Sequence, residues 1–218
     1  RYFWKPSSKH RAEIERLRIE RADLLPELQR EIDAVYALRK VLLTGPYPGL
    51  GTGDVDLYQA FAWRYWHLLR EGGTIAFITP RSLMNAAGTA AWRKTVLPNS
   101  RAEIVGLINN RQWVFLIHPQ YSMSLSALTK TPDGKLEIAG PFSNESDFIA
   151  GRHDLGTIDF AALLAASEHA ALPNLPDSDS VEIFTQLRKA PRLDAVRPGW
   201  DFRPVAEFHA TNDRPTFD

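Results

Sequence analysis

Residues 72–80 read GGTIAFITP, a largely apolar run between a pair of glycines and a proline. A continuous apolar run, rather than an alternating one, is typical of a parallel strand that is buried on both faces. The glycines are suited to end a preceding helix, and Pro80 is suited to end the strand. This stretch therefore predicts a helix followed by a strand over residues 74–79, as in an α/β fold.

The neighbouring segments continue the alternation of helix and strand. Upstream, apolar residues from Val55 to Leu69 recur at helical spacing, and Asp54 is a suitable N-cap. Downstream, we expect a helix over 82–97, interrupted at Gly88, and a second buried strand over 103–108. This order of elements predicts the second half of a doubly wound sheet.

The segments farther from this centre predict an edge hairpin and additional helices. Period-two alternation over 122–128, a Pro-Asp-Gly turn and a short strand over 135–139 predict a β-hairpin at an antiparallel edge. Helical spacing on both sides of Pro26 predicts a helical pair or a kinked helix before the sheet. Further helices are expected over 157–167 and 180–187.

The composition excludes several classes of protein. Of the 218 residues, 44% are hydrophobic and 24% are charged, which fits a folded domain rather than a disordered chain. The absence of cysteine excludes disulfide scaffolds, thiol catalysis and Cys-rich zinc sites. The apolar runs are too short to span a membrane and the first residues do not form a signal peptide, so we expect a cytoplasmic protein without a membrane partner. Because the chain begins at Arg1 rather than Met, a fragment or a processed product is expected.

Charge is distributed unevenly, although the formal net charge is zero. Residues 81–130 contain six cations and one anion, a balance of +5, whereas residues 131–182 contain two cations and ten anions, a balance of −8. A polyanion such as DNA is expected near the first block and not near the second. The alternative is that both blocks are merely solvated surface.

The sequence contains no self-sufficient catalytic motif. The glycine cluster of residues 49–53 follows two prolines rather than a strand and has no further glycine in the next helix, so it does not fit a dinucleotide-binding fingerprint. No two histidines have the spacing of helical metal ligands, and we expect no metal site. A Walker loop and a Gly-x-Ser-x-Gly elbow are also absent from the sequence.

Three segments resemble a known family. Residues 53–61 (GDVDLYQAF) and 68–83 (LLREGGTIAFITPRSL) resemble the later motifs of adenine-N6 DNA methyltransferases, especially the large type II restriction–modification methylases and their phage-defence relatives. Residues 113–118 (WVFLIH), followed by YSMS over 121–124, are similar to that family's segment after the next strand.

The resemblance implies a fold and a division of the chain. It implies the carboxyl-terminal half of a Rossmann-like, S-adenosylmethionine-dependent methyltransferase sheet with an antiparallel edge hairpin, preceded by a helical insertion. The insertion and its loop would occupy residues 1–50, the catalytic half-domain 51–140, and a helical linker with the start of a target-recognition region 141–218.

The resemblance also implies a reaction, a cofactor and partners. The intact enzyme would transfer a methyl group from S-adenosylmethionine to the N6 amino group of adenine in double-stranded DNA. A fused or separate restriction nuclease or a defence-system subunit would be a further partner. However, the family's glycine-rich cofactor loop and its Asn-Pro-Pro-aromatic motif are missing here. No catalytic residue is therefore expected in this chain, and the chain alone is expected to be inactive.

Five residues are expected at or near the binding sites that the resemblance implies. Phe61 would pack against the adenine of the cofactor and Asp56 would shape that pocket, although Phe61 could serve the core and Asp56 only the first turn of a helix. Pro80 ends the central strand at the side where ligands bind in such sheets.

Phe115 matches the aromatic residue that stacks on the extruded target adenine, with a core phenylalanine as its alternative. His118 could contact a DNA phosphate or be an ordinary surface histidine.

A second class of function is compatible with the same residues. The Lys- and Arg-bearing helical pair could make the chain a non-catalytic module that binds nucleic acid or protein. An Asn-Pro-Pro-aromatic motif upstream of Arg1 would favour the enzyme, and an initiating Met near Arg1 would favour the module.

Overall fold

The computed structural model describes residues 8–51 and 55–191, together with Gly199 and Phe202. The helices are α1 (Ser8–Glu20), α2 (Leu25–Thr44), α3 (Leu57–Leu68), α4 (Ser82–Asn85), α5 (Ala90–Val96), α6 (Glu145–Gly151), α7 (Phe160–Ala166) and α8 (Ser178–Leu187). The strands are β1 (Thr74–Pro80), β2 (Ser100–Ile108), β3 (Ser122–Lys130), β4 (Lys135–Phe142) and β5 (Gly156–Asp159).

The five strands form one mixed sheet in the order β1-β3-β2-β4-β5. β3 runs antiparallel to both β1 and β2, whereas β2 and β4 are parallel and β5 is antiparallel to β4. β1 and β2 consequently point the same way, and their carboxyl ends lie at the same end of the sheet. The expected α/β class is confirmed.

The predicted hairpin over 122–139 is wrong. β3 and β4 do not pair with each other, because β2 lies between them and forms hydrogen bonds with both. Ala102 of β2, for example, is in register with Leu128 on one side and Leu136 on the other. β2 takes this central place because it is apolar on both faces, with Ile104 and Val105 both buried. Both edge strands among the described residues are antiparallel to their neighbours, β5 to β4 and β1 to β3. The prediction that residues 74–79 form a central, parallel strand buried on both faces is therefore wrong, and most residues of β1 are exposed or half-buried.

Other element boundaries differ from the predictions in part. The helix expected over 157–167 begins only at Phe160, because residues 156–159 alternate buried and exposed positions as β5. The helix expected over 82–97 is divided into α4 and α5. α3 has Asp56 as its N-cap, and Asp54 lies outside the described residues. The helix expected over 180–187 is confirmed as α8.

The main core lies between one face of the sheet and the helices α3, α4, α5, α7 and α8. Its largest side chains are three tryptophans from α3 and α5, all of them buried: Trp63, Trp66 and Trp92. A smaller cluster on the opposite face packs under α6 and includes Val105, Leu107 and Phe142. Toward β1 this second face is more open, and Ile78 is 51% exposed.

The segment α1–α2 contributes little to the core. A single turn of 3-10 helix at Ala22–Leu24 joins the two helices, and Pro26 stands in the first turn of α2, as expected for a kinked helix. Among the side chains that the structure describes in these helices, Leu42 is buried, whereas the apolar stripe that includes Leu28 and Ile32 is exposed. No helix in the described part of the chain is long and apolar enough to cross a membrane.

A buried arginine joins the helical layer to the segment after α7. Arg93 of α5 is fully buried and donates six hydrogen bonds, five to backbone carbonyls and one to Thr89 Oγ1. Burial lowers the pKa of Arg93 to about 10, so the guanidinium remains charged at neutral pH. The carbonyls belong to Leu83, Ala86, His169 and Ala170, and the side chain thus ties 83–89 to 169–170.

Candidate functional site

The carboxyl ends of β1 and β2 bring two of the predicted site segments to one end of the sheet. Pro80, the last residue of β1, is in register with Met123, and Ile108, the last residue of β2, is in register with Ser122. The loop 109–121 leaves β2 and enters β3 at this end. Pro80 and the loop that carries Phe115 and His118 therefore share one end of the sheet.

The amino end of α3 lies at the same end. Tyr58, in the first turn of α3, shares a hydrogen bond of 2.8 Å with Ser82, two residues after Pro80. Asp56 is exposed and its side chain forms no capping hydrogen bond with α3. Its carboxylate is therefore not engaged as the cap of this helix.

Phe61 is not part of the buried core. Its ring is stacked on Tyr65 with centroids 6.1 Å apart, and Tyr65 in turn contacts Phe77 of β1 at 5.8 Å. Phe61 nevertheless remains 53% exposed. The core thus supports the ring on one side and leaves much of it accessible, as a planar ligand would require.

The loop 109–121 is organised by one buried amide. Asn109 is fully buried, and its Nδ2 donates to the carbonyls of Phe115 at 2.9 Å and Ile117 at 3.2 Å. Its Oδ1 accepts hydrogen bonds from the backbone amides of Val114 at 3.2 Å and Phe115 at 3.1 Å. Both functional atoms of this side chain are therefore used to hold the loop backbone in one conformation.

Further contacts restrain the same loop. Arg111 and Gln112 adopt left-handed backbone conformations, with φ of 55° and 61°, which are uncommon for residues other than glycine. The Gln112 side chain donates to the carbonyl of Ile117 at 2.9 Å, and Trp113 Nε1 donates to the carbonyl of Ile108 at 2.8 Å. Successive strained residues that are held by side-chain hydrogen bonds are found most often at functional loops.

The apolar side chains at the tip of this loop, residues 115–117, face outward. Phe115 and Ile117 are each 42% exposed, and Leu116 between them is 91% exposed. Phe115 is therefore not the core residue of the alternative interpretation. His118 is exposed, stands edge-on to Tyr121 with centroids 6.3 Å apart, and accepts a hydrogen bond at Nδ1 from the Gln120 amide.

Residues 81–130, the basic block, have fewer exposed cations than the sequence suggests. Arg93 is buried, and Lys130 is half-buried, lies over the Trp66 ring and pairs with Glu71 at 3.4 Å. Arg81 is half-buried and donates to the carbonyl of Leu172, and burial lowers the pKa of Arg81. The cations of this block that remain exposed are Lys94, Arg101 and Arg111.

The structure groups the predicted site residues without joining them in direct contact. Asp56, Pro80, Phe115 and His118 lie on segments that converge at one end of the sheet, but no ring contact links Phe61 to Phe115 among the described residues. Asn109 was missed in the sequence analysis. The available signal was an asparagine directly after a buried strand, where its side chain can hydrogen-bond the backbone of a turn.

The chain matches a family model over part of its length. Residues 30–115 match the model of the Eco57I restriction-modification methylase, a range that runs from α2 to Phe115. No curated protein matches the chain.

Two solved structures are similar to part of the chain. A cryo-EM structure of a DrdV–DNA complex is 19% identical with a TM-score of 0.40 over 56% of this chain, and the ATP-dependent Type ISP restriction-modification enzyme LlaBIII bound to DNA is 18% identical with a TM-score of 0.31 over 44%. The chain spans 14% and 8% of the lengths of these two proteins. The family model confirms the resemblance to restriction–modification methylases over residues 30–115.

Proposed function

We propose that the chain is the carboxyl-terminal part of the catalytic domain of an adenine-specific DNA methyltransferase in a restriction–modification or phage-defence system. The observation that carries this proposal is the family match over 30–115, which covers α3, β1, β2 and the loop up to Phe115. In our proposal this chain supplies residues that bind the cofactor and the DNA, and an upstream segment supplies the catalytic motif.

The residues around Phe61 are compatible with one wall of an S-adenosylmethionine site. The half-exposed ring of Phe61 offers a flat apolar surface to an adenine, and the free carboxylate of Asp56 can accept hydrogen bonds from a hydroxyl or an amine. Bound S-adenosylmethionine would supply the methyl group from its sulfonium. In our proposal these two side chains bind and orient it.

Duplex DNA is the proposed substrate, and Phe115 is the proposed stacking surface for the target adenine. An enzyme that modifies a base must remove it from the stack, and an aromatic ring replaces part of the lost stacking. Phe115 meets the requirements of such a role, because it is exposed and its own backbone N–H and carbonyl are both bound to Asn109. Pro80 and His118 would line the same substrate side.

The test of the proposed function is methyl transfer by the intact protein of which this chain is part. Mixed-sequence duplex DNA would be incubated with tritiated S-adenosylmethionine, digested to nucleosides and analysed by mass spectrometry. We expect N6-methyladenine, and we expect none from the 218-residue chain alone, which lacks the cofactor loop and the Asn-Pro-Pro-aromatic motif. Methylated cytosine would refute the adenine specificity, and the absence of methylated bases would refute the enzyme.

One observation favours an additional binding function for α1–α2. The apolar stripe of these helices is exposed over several turns, and such a stripe is usually covered by another helix. Methyl transfer without loss after replacing Leu28 and Ile32 by Gln, together with loss of a co-purifying subunit, would assign the helices to an interaction module.

A further inference from the structure

We propose that Leu116 is a wedge that enters the base stack of duplex DNA beside the nucleotide received by Phe115. This inference rests on the proposed function, since it takes DNA as the partner of the loop 109–121. It assigns to the loop a task that stacking by Phe115 does not cover, namely filling the space that an extruded base leaves in the duplex.

The first observation is the extent of apolar exposure at the loop tip. Leu116 is 91% exposed and is flanked by two further exposed apolar side chains, Phe115 and Ile117. A single exposed leucine is ordinary, but three consecutive exposed apolar residues form a patch that water hydrates unfavourably. Such a patch is stabilised when a partner removes it from water.

The second observation is that the loop cannot relieve this exposure by folding back. Asn109 binds the backbone on both sides of Leu116, through the carbonyls of Phe115 and Ile117. Gln112 holds the Ile117 carbonyl a second time. The conformational entropy of the loop is thus lost during folding, and a partner that accepts Leu116 meets a preorganised tip.

The third observation is the charge around the tip. No acidic residue occurs between Glu103 and Asp133, and Arg111 at the base of the loop is exposed. Arg111 forms no ion pair within the part of the chain that the structure describes. An apolar tip with a cation beside it complements a base stack flanked by phosphates, and proteins insert leucine and similar side chains between base steps in this way.

The experiment compares binding of the 218-residue chain to two fluorescein-labelled duplexes of the same mixed sequence, one intact and one with a single abasic site. A wedge enters a preformed gap more easily than a complete stack. Full burial of a leucine side chain can raise a binding affinity about tenfold or more. We therefore expect about fivefold tighter binding to the abasic duplex than to the intact one. Leu116→Ala should reduce this preference to less than about twofold, and Leu116→Phe should retain it.

Leu187→Ala is the matched control, since Leu187 is also strongly exposed but lies at the end of α8, outside the loop 109–121. It should leave the preference unchanged. Equal preferences in wild type and Leu116→Ala, no preference in wild type, or no binding to either duplex would overturn the wedge.

The outcomes separate this inference from the proposed function. If the intact protein transfers methyl groups and the preference for the abasic duplex does not depend on Leu116, the wedge is refuted and the proposed function stands. If the preference does depend on Leu116 but the intact protein transfers no methyl group, the wedge is supported and the proposed function is refuted.

Discussion

Helix α5 and the loop 109–121 each place a side chain in an unfavourable environment, a charge in the core and an apolar group in water. They differ in whether the chain itself compensates the unfavourable free energy. In α5 the charged Arg93 is fully buried, and six internal hydrogen bonds satisfy its donors. In the loop the apolar Leu116 is almost fully exposed, and neighbouring hydrogen bonds keep it so. The first arrangement is complete within the chain and is structural, whereas the second is incomplete without a partner.

Arg93→Met should have the largest effect on stability, and it tests whether the buried guanidinium is structural. The substitution keeps an apolar stem of similar length but leaves buried carbonyls of 83–89 and 169–170 without donors. Each buried acceptor left unsatisfied costs about 1–3 kcal/mol, so we expect the free energy of unfolding to fall by about 3 kcal/mol or more. Urea denaturation of the chain measures the change.

Lys94→Met is the control for Arg93→Met, because Lys94 is the next residue of α5 and is exposed. It should shift the urea midpoint little. If the two variants unfolded at the same urea concentration, the hydrogen bonds of Arg93 to 83–89 and 169–170 would not stabilise the fold.

Asn109→Ala should have the second-largest effect, and it acts on the other half of the comparison. Removal of the amide leaves the loop backbone without four hydrogen bonds, and we expect a loss of about 2 kcal/mol in unfolding free energy. Hydrogen exchange at the amides of Val114 and Phe115 should accelerate more than exchange within β2. Asn110→Ala is the control, because Asn110 is the next residue and is exposed. Unchanged hydrogen exchange at the Val114 and Phe115 amides in Asn109→Ala would show that other contacts hold the loop.

Phe115→Ala is expected to affect the reaction more than the fold. Base–aromatic stacking is worth about 1–3 kcal/mol, so methylation of a paired adenine by the intact protein should fall about tenfold or more. Methylation of a mismatched adenine should fall less, because that base is easier to extrude. Ile117→Ala, equally exposed in the same loop, should spare both substrates, and equal losses on both substrates for Phe115→Ala would contradict stacking.

Phe61→Ala should weaken cofactor binding by a smaller factor. An aromatic contact contributes about 0.5–1.5 kcal/mol beyond its buried area, so titration calorimetry of the intact protein should show a loss of about three- to tenfold or somewhat more in S-adenosylmethionine affinity. The melting temperature of the cofactor-free protein should change little, since the ring is half-exposed. Leu57→Ala on the same helix is the control, and unchanged affinity for Phe61→Ala would leave this residue as a support for Tyr65.

The smallest expected effect concerns salt. Three cations of the basic block are exposed, namely Lys94, Arg101 and Arg111. If all three neutralised phosphates, the slope of log affinity against log salt would be about −2.7, and Arg111→Ala should reduce its magnitude by about 0.9. Fluorescence anisotropy at several salt concentrations measures this slope, and a much steeper one would mean that the DNA also contacts cations outside residues 81–130. Arg188→Ala is the control, because Arg188 is exposed and lies outside this block.

The sequence predicted the strands better than their arrangement. The apolar runs near β1 and β2 and the alternation of β3 locate three strands within a few residues. The hairpin prediction failed because a short turn between two strands reports their proximity in sequence, whereas the intervening strand β2 comes from earlier in the chain. β5 was missed because four residues at a helix start carry too short a pattern to separate strand from helix.

For the site, sequence could indicate residue types but not their environments. The exposure of Phe61 and Phe115 depends on which side of α3 and of the loop faces the core, and that is a property of tertiary packing. In the sequence, Arg93 is one cation of the basic block. Composition does not indicate that its guanidinium is buried and donates hydrogen bonds to backbone carbonyls. The roles of Asp56, Phe61, Pro80, Phe115 and His118 stay predictions, and the variants above test those of Phe61 and Phe115.

The position of β3 in the sheet governs the order in which the domain can assemble. Among the described residues, β1 pairs with β3 alone, and the hydroxyls of Thr74 and Thr129, 55 residues apart, share a hydrogen bond across this pair. A ribosome needs about 3–10 s to synthesise such a separation, and during that time β1 lacks the strand that it pairs with among the described residues. A nascent chain that ended within the loop 109–121 would contain β1 and β2 but not the strand that joins them. The last of these three strands to be made is therefore the one that closes the sheet.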